Sequence, residues 1–144
     1  VWEYSMLVNN EDVKYLGKKT VKGVECYAIE LPSLTSDQDQ DVFSMKSTSN
    51  RVSYYEVSSG LLKFTISDSH TVIDYKENSE YLKDSDTKSF TTMEYTDYKR
   101  AGGVLFPGKL LSETTGASDS EMVMEFEEIR VNPEINKADF RVKI

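Results

Sequence analysis

The chain has 144 residues, 38% apolar and 29% charged, with net charge −8 at pH 7, a sequence pI near 4.7 and mean hydropathy −0.51. That length allows one ordinary core, hiding roughly 68–70% of the surface the unfolded chain exposes, and the composition is that of a globular domain, not of a disordered or membrane-spanning chain. Lys and Arg are scattered without a basic stripe, which argues against nucleic acid as a partner, and no apolar run approaches the roughly 20 residues of a transmembrane helix.

Period-two alternation and turn residues dominate, so the expectation is an all-β chain. Trp2, Tyr4, Met6 and Val8 alternate before the turn residues Asn9-Asn10-Glu11-Asp12. Neither a basic leader nor an apolar run ending in small residues opens the chain, and the absent initiating Met suggests a trimmed domain or a mature product. Val13 to Leu16 and Lys18 to Leu31 read as the next strands, with Lys22-Gly23 as a tight turn or bulge and Pro32 as a stop. Cys26 cannot form an internal disulfide and sits in an apolar run, so a small core residue is expected there.

Ser33 to Asp41 lacks an apolar period and reads as an exposed loop. Its acids lack the spacing, the mid-loop Gly and the closing Glu of a calcium loop, so no metal site is assigned. Phe43 to Lys46 and Arg51 to Val57 read as strands, and Ser58-Ser59-Gly60 as a turn into Leu61 to Ser67. There Leu62, Phe64 and Ile66 are expected to share one face, with Lys63 and Thr65 on the other. Asp68 to Lys88 turns polar and is expected to be a long loop, with Tyr75 to Asp84 as a short helical turn or a long connection and the lone His70 a surface residue.

Ser89 to Arg100 resumes strand, Gly102-Gly103 makes a hairpin turn, and Val104 to Glu113 returns, with Pro107 implying an edge or a bulge. Gly116 to Ser120 is the next turn. In Glu121 to Val131 the apolar phase shifts from Met122, Met124 and Phe126 to Ile129 and Val131, which predicts a bulge near Glu127-Glu128. Phe140 and Val142 are expected to dock back on the sheet.

Zinc signatures, phosphate loops and nucleophile elbows are absent, and one His and one Cys assemble few catalytic schemes, so the expectation is a non-enzymatic chain without cofactor or metal. Nine Tyr, six Phe and five Met in a small β protein suggest an apolar groove on a curved sheet, because Met and Phe adapt to flexible hydrophobic ligands. The candidate ligand-binding residues are Leu62, Phe64, Ile66, Met93, Tyr95, Met122, Met124 and Phe126.

Several segments in succession resemble the C-terminal portion of the outer-membrane lipoprotein carrier (LolA-like) superfamily. They are Leu16 to Leu31 with Gly17-Lys18 and Gly23, the tyrosine-rich Ser53 to Lys63 with Gly60-Leu61-Leu62, Asp97-Tyr98-Lys99 followed by Gly103 to Pro107, and Val131-Asn132-Pro133-Glu134-Ile135 with Asp139-Phe140. The resemblance implies one LolA-like β domain over residues 1–144, part of a larger protein, built as a curved antiparallel sheet in an open or half barrel with little helix. It also implies a periplasmic or cell-envelope home and a lipid, lipoprotein acyl chain or peptide segment bound on the concave face. A similar β module is appended to insulinase-type zinc peptidases of bacterial envelopes, so the alternative is an accessory or protein-interaction domain.

Overall fold

The computed structural model describes residues 12–77 and 79–131. The expectations for Trp2 to Val8, Asn132-Pro133, Phe140 and Val142 lie outside them. Among the described residues there is no helix, and the strands form a large antiparallel sheet that does not close into a barrel. Among these residues no helix is long and apolar enough to cross a membrane.

The strands are β1 (Lys14–Val21), β2 (Val24–Glu30), β3 (Leu34–Asp39), β4 (Phe43–Glu56), β5 (Leu62–Tyr75), β6 (Ser85–Thr96), β7 (Lys99–Ala101), β8 (Val104–Phe106), β9 (Lys109–Gly116) and β10 (Ser120–Glu125). The main sheet runs β1-β2-β4-β5-β6-β9-β10. Each neighbour is therefore the next long strand in sequence, an up-and-down meander. β7 and β8 form a separate small hairpin inserted between β6 and β9.

Local chemistry sets the turns. Lys22-Gly23, with φ of 47° and 80°, joins β1 to β2 through a two-residue loop whose central residues both have positive φ, matching the twist of the flanking strands. Gly102-Gly103 does the same between β7 and β8. Pro32 breaks one long strand into β2 and β3: β2 pairs with the C-terminal half of β4 and β3 with its N-terminal half.

Five expectations are corrected. Ser33 to Asp41 is not a loop, since Leu34–Asp39 pair with β4; all six residues of this edge strand are exposed, so neither face imposes an apolar alternation. The segments Phe43 to Lys46 and Arg51 to Val57 belong to one 14-residue strand. The polar stretch from Asp68 to Lys88 is mostly strand, because β5 continues to Tyr75 and β6 begins at Ser85. Ladder bonds hold these polar ends, and hydroxyl pairs across the strands join in: Ser47 with Thr71 at 3.1 Å, Ser69 with Ser89 at 2.6 Å and Thr91 with Thr114 at 2.9 Å. Finally, β10 ends at Glu125 instead of bulging at Glu127-Glu128, and Pro107 lies between β8 and β9.

The sheet curls. Lys22 Nζ, at the tip of the β1–β2 turn, lies 3.6 Å from the Glu113 carboxylate on β9. Four strand spacings separate β2 from β9, roughly 19 Å if the sheet were flat. The register places Glu113 on the same face as Thr92, Ile66, Val52 and Glu30, so that face is concave. Its closed end holds Cys26, Ala28 and Phe64, at 0%, 0% and 1% exposure. Ser53 and Thr65, at 0% and 7%, are buried on the convex side of the same region.

Candidate functional site

A β-bulge determines which side chains reach the concave face. Tyr54 pairs with Phe64 but Tyr55 pairs with Leu62, so Lys63 is the extra residue. Its Nζ lies 3.6 Å from the Glu94 carboxylate and 5.9 Å from the Phe64 ring centre, both on the concave side. Leu62, opposite Tyr55, falls on the convex side instead of sharing a face with Phe64 and Ile66. Tyr98 Oη donates to the Leu62 carbonyl, pinning the chain beside the β7–β8 hairpin to the bulge.

The candidate apolar residues are therefore divided. Phe64 and Ile66 are concave, Phe64 wholly buried and Ile66 half-buried. Met93, Tyr95, Met122 and Met124 are convex: Met93 follows Thr65 in register and precedes Ser112 and Met122, while Tyr95 precedes Leu110 and Met124. Tyr95 Oη lies 3.3 Å from Thr65 Oγ1 on that face. Phe126 follows β10, and its N–H donates to the Gly108 carbonyl. These eight residues do not line one groove.

The concave face nonetheless carries a groove, at the open end of the sheet. One recess of about 640 Å³ is lined by Thr48, Asn50, Asp68, His70, Lys88, Phe90 and their neighbours. A second, of about 340 Å³, is lined by Glu30, Asn50, Val52, Ile66, Asp68 and Phe90. Asn50, Asp68 and Phe90 belong to both, so the recesses are lobes of one groove. Register makes the order explicit: Thr48, His70 and Lys88 form one row across the strands, Asn50, Asp68, Phe90 and Thr115 the next, and Glu30, Val52, Ile66, Thr92 and Glu113 the third. The first two rows are polar except for Phe90, and the third contributes the aliphatic wall.

Several groove side chains have fixed partners. His70 Nε2 lies 2.6 Å from Asp86 Oδ1 in an exposed pair. Ser33 donates to Asn50 Oδ1, leaving the Asn50 amide nitrogen to donate elsewhere. Asp68 lies directly opposite Phe90 on β5 and Lys88 precedes Phe90 by two residues on β6; neither enters an ion pair among the described residues. Gly116 lets β9 close against β6: at φ +127°, a Cβ there would sit 2.9 Å from Ser89 Cα and nearer still to the Lys88 carbonyl.

At the closed end, burial pushes the Cys26 thiol up from its ordinary range, the Glu56 carboxylate adds to the rise and the Lys63 ammonium opposes it. Burial also raises the Tyr54 phenol, with Cys26 contributing. A buried thiol held neutral is a packing group and a poor nucleophile. Among the described residues His70 hydrogen-bonds the Asp86 carboxylate, which is not a nucleophile–base arrangement. No group of three or more His, Cys, Asp or Glu among the described residues could hold a metal ion.

Compared with known protein families, curated proteins and solved structures, the chain matches none.

Sequence reasoning missed Phe90, Asn50, Asp68, Val52 and Lys88 as groove residues. The signal was present in part, since Phe90 and Met93 lie on opposite phases of β6 and cannot share a wall.

Proposed function

We propose that this chain is a non-enzymatic ligand-binding module of the cell envelope, a LolA-like half barrel that takes up an amphipathic ligand on its concave face. One observation carries the reading: the two lobes of the groove share Asn50, Asp68 and Phe90 but differ in lining, with Val52 and Ile66 in one and Thr48, His70 and Lys88 in the other. An apolar segment suits the first lobe and a hydrogen-bonding group the second. The curled, unclosed sheet agrees with what the resemblance to lipoprotein carriers implies, and a lipid or lipoprotein acyl segment fits the aliphatic wall.

Titration with a dansylated fatty acid tests this. Saturable binding that Ile66→Lys abolishes is the expected result. No saturable binding by that probe, together with no lipid co-purifying in native mass spectrometry, would count against an apolar ligand.

A second reading, an accessory or interaction domain of a larger envelope protein such as a zinc peptidase, is favoured by β10. Among the described residues this strand pairs only with β9, and Met122, Val123 and Met124 are 54%, 54% and 42% exposed. An extended partner segment adding there would gain main-chain hydrogen bonds and apolar contacts. Val123→Pro separates the readings, because it blocks the edge without touching the groove.

A further inference from the structure

We infer that the polar lobe around Phe90 is a subsite for a neutral glycan, with the Phe90 ring as its stacking platform. The inference rests on the reading of the concave groove as a ligand site and names the chemistry of the polar part of that ligand. Phe90 is 49% exposed, although it lies on the same face as the wholly buried Phe64. Its ring is the shared wall of both lobes, with Thr48, His70 and Lys88 on one side and Val52 and Ile66 on the other. An aromatic ring open to solvent beside hydrogen-bonding side chains suits a ligand that has both C–H faces and hydroxyl edges, which describes a pyranose.

The surrounding groups match those edges. Asp68 offers carboxylate acceptors, the Asn50 amide nitrogen and the Lys88 ammonium donate, and the Thr48 and Thr115 hydroxyls do either. They stand on adjacent strands, about 4.8 Å apart across the sheet and about 7 Å apart along it, so one ring on Phe90 is reached from several sides.

Other ligand classes fit less well. The Asp68 and Asp86 carboxylates and the net charge of −8 oppose a phosphate or nucleic acid. An acyl chain would desolvate the Asp68 carboxylate, the Lys88 ammonium and the Asn50 amide nitrogen at this lobe without offering them a hydrogen bond. An extended peptide would find its main-chain partners at a sheet edge, not over the middle of the sheet.

The test is calorimetric titration of the protein with cellohexaose, maltohexaose and chitohexaose, alongside the dansylated fatty acid. At least one hexasaccharide should bind saturably. Phe90→Ala should weaken that binding roughly tenfold, the scale of one lost aromatic contact, and Asp68→Ala should weaken it by a similar factor. Phe90→Tyr keeps the ring and should retain binding, and Met122→Ala on the convex face should leave it unchanged. Circular dichroism establishes that each variant is folded. Binding of none of the sugars by the folded protein, or sugar binding indifferent to Phe90→Ala, would overturn the inference. If only the fatty acid binds, and Phe90→Ala weakens it, the groove stands as a ligand site and the glycan subsite falls. If no probe binds, both fall.

Discussion

Replacing Phe64 by Ala should cost far more than the same change at Phe90, although both rings lie on the concave face of adjacent strands. Phe64 is 1% exposed and Phe90 is 49% exposed. A buried Phe hides roughly 150–250 Å², which at about 25 cal/mol per Å² is worth roughly 4–6 kcal/mol. Alanine keeps part of that burial and the surroundings relax partly into the cavity, so the net loss should be about 3–5 kcal/mol. The Lys63 ammonium, 5.9 Å from the ring centre, loses a contact worth about 0.5–1 kcal/mol, already within that range. For a domain with about 5–15 kcal/mol of total stability, the melting temperature should fall on the order of 10 °C. Phe90→Ala should lose about 1 kcal/mol or less, because half its ring already faces water and its place can be refilled by solvent. Urea denaturation followed by circular dichroism, with matched m values, measures both. Equal losses, or a Phe64→Ala loss below about 1 kcal/mol, would mean that the curl does not close the sheet over Cys26, Ala28 and Phe64.

Gly116→Ala should destabilise by about 2–4 kcal/mol in a thermal melt, since the new Cβ meets the Lys88–Ser89 backbone and φ is +127°; Gly23→Ala, with open space around it and φ +80°, should lose only about 1–2 kcal/mol. Above pH 7, stability should fall as pH rises through the ordinary thiol and phenol ranges, because the folded state holds the Cys26 and Tyr54 protons more tightly than the unfolded chain does. Urea midpoints between pH 7 and pH 10.5 would show this, and Cys26→Ala should make the alkaline decline shallower; an unchanged decline would place its origin elsewhere.

The antiparallel class was legible because it rests on period-two patterns and turn residues that act locally. Lys22-Gly23 and Gly102-Gly103 announce their hairpins through the positive φ that only a few residues accept. The polar strands were not legible, for a physical reason: Leu34–Asp39 and the far ends of β5 and β6 face solvent or small hydroxyls, so no buried face imposes alternation, and main-chain ladders alone define them. The groove was hidden by a single inserted residue. Alternation puts Leu62 with Phe64, but the bulge at Lys63 reverses the phase, and nothing in Leu61-Leu62-Lys63-Phe64 distinguishes the two outcomes. Nor does a sequence pattern say that Met93 lies opposite Thr65 and not Phe64 or Ile66, because that follows from pairing register across β5 and β6.

The length of the central strands explains where the groove must lie. β4 and β5 each have 14 residues, enough to extend about 45–48 Å, while the wholly buried concave side chains gather at one end, around Cys26, Ala28 and Phe64. Ladder bonds carry the strands past that core, but beyond it the concave face has no protein layer of its own among the described residues. Between the closed end and the polar end stand Val52, Ile66 and Phe90, half-buried or exposed, with Asn50 and Asp68 beside them. Surface that the sheet leaves partly open, with both apolar and hydrogen-bonding character, is surface that a bound molecule can finish covering. A ligand there would extend the core instead of opening it, so binding should raise the melting temperature by an amount that grows with ligand concentration.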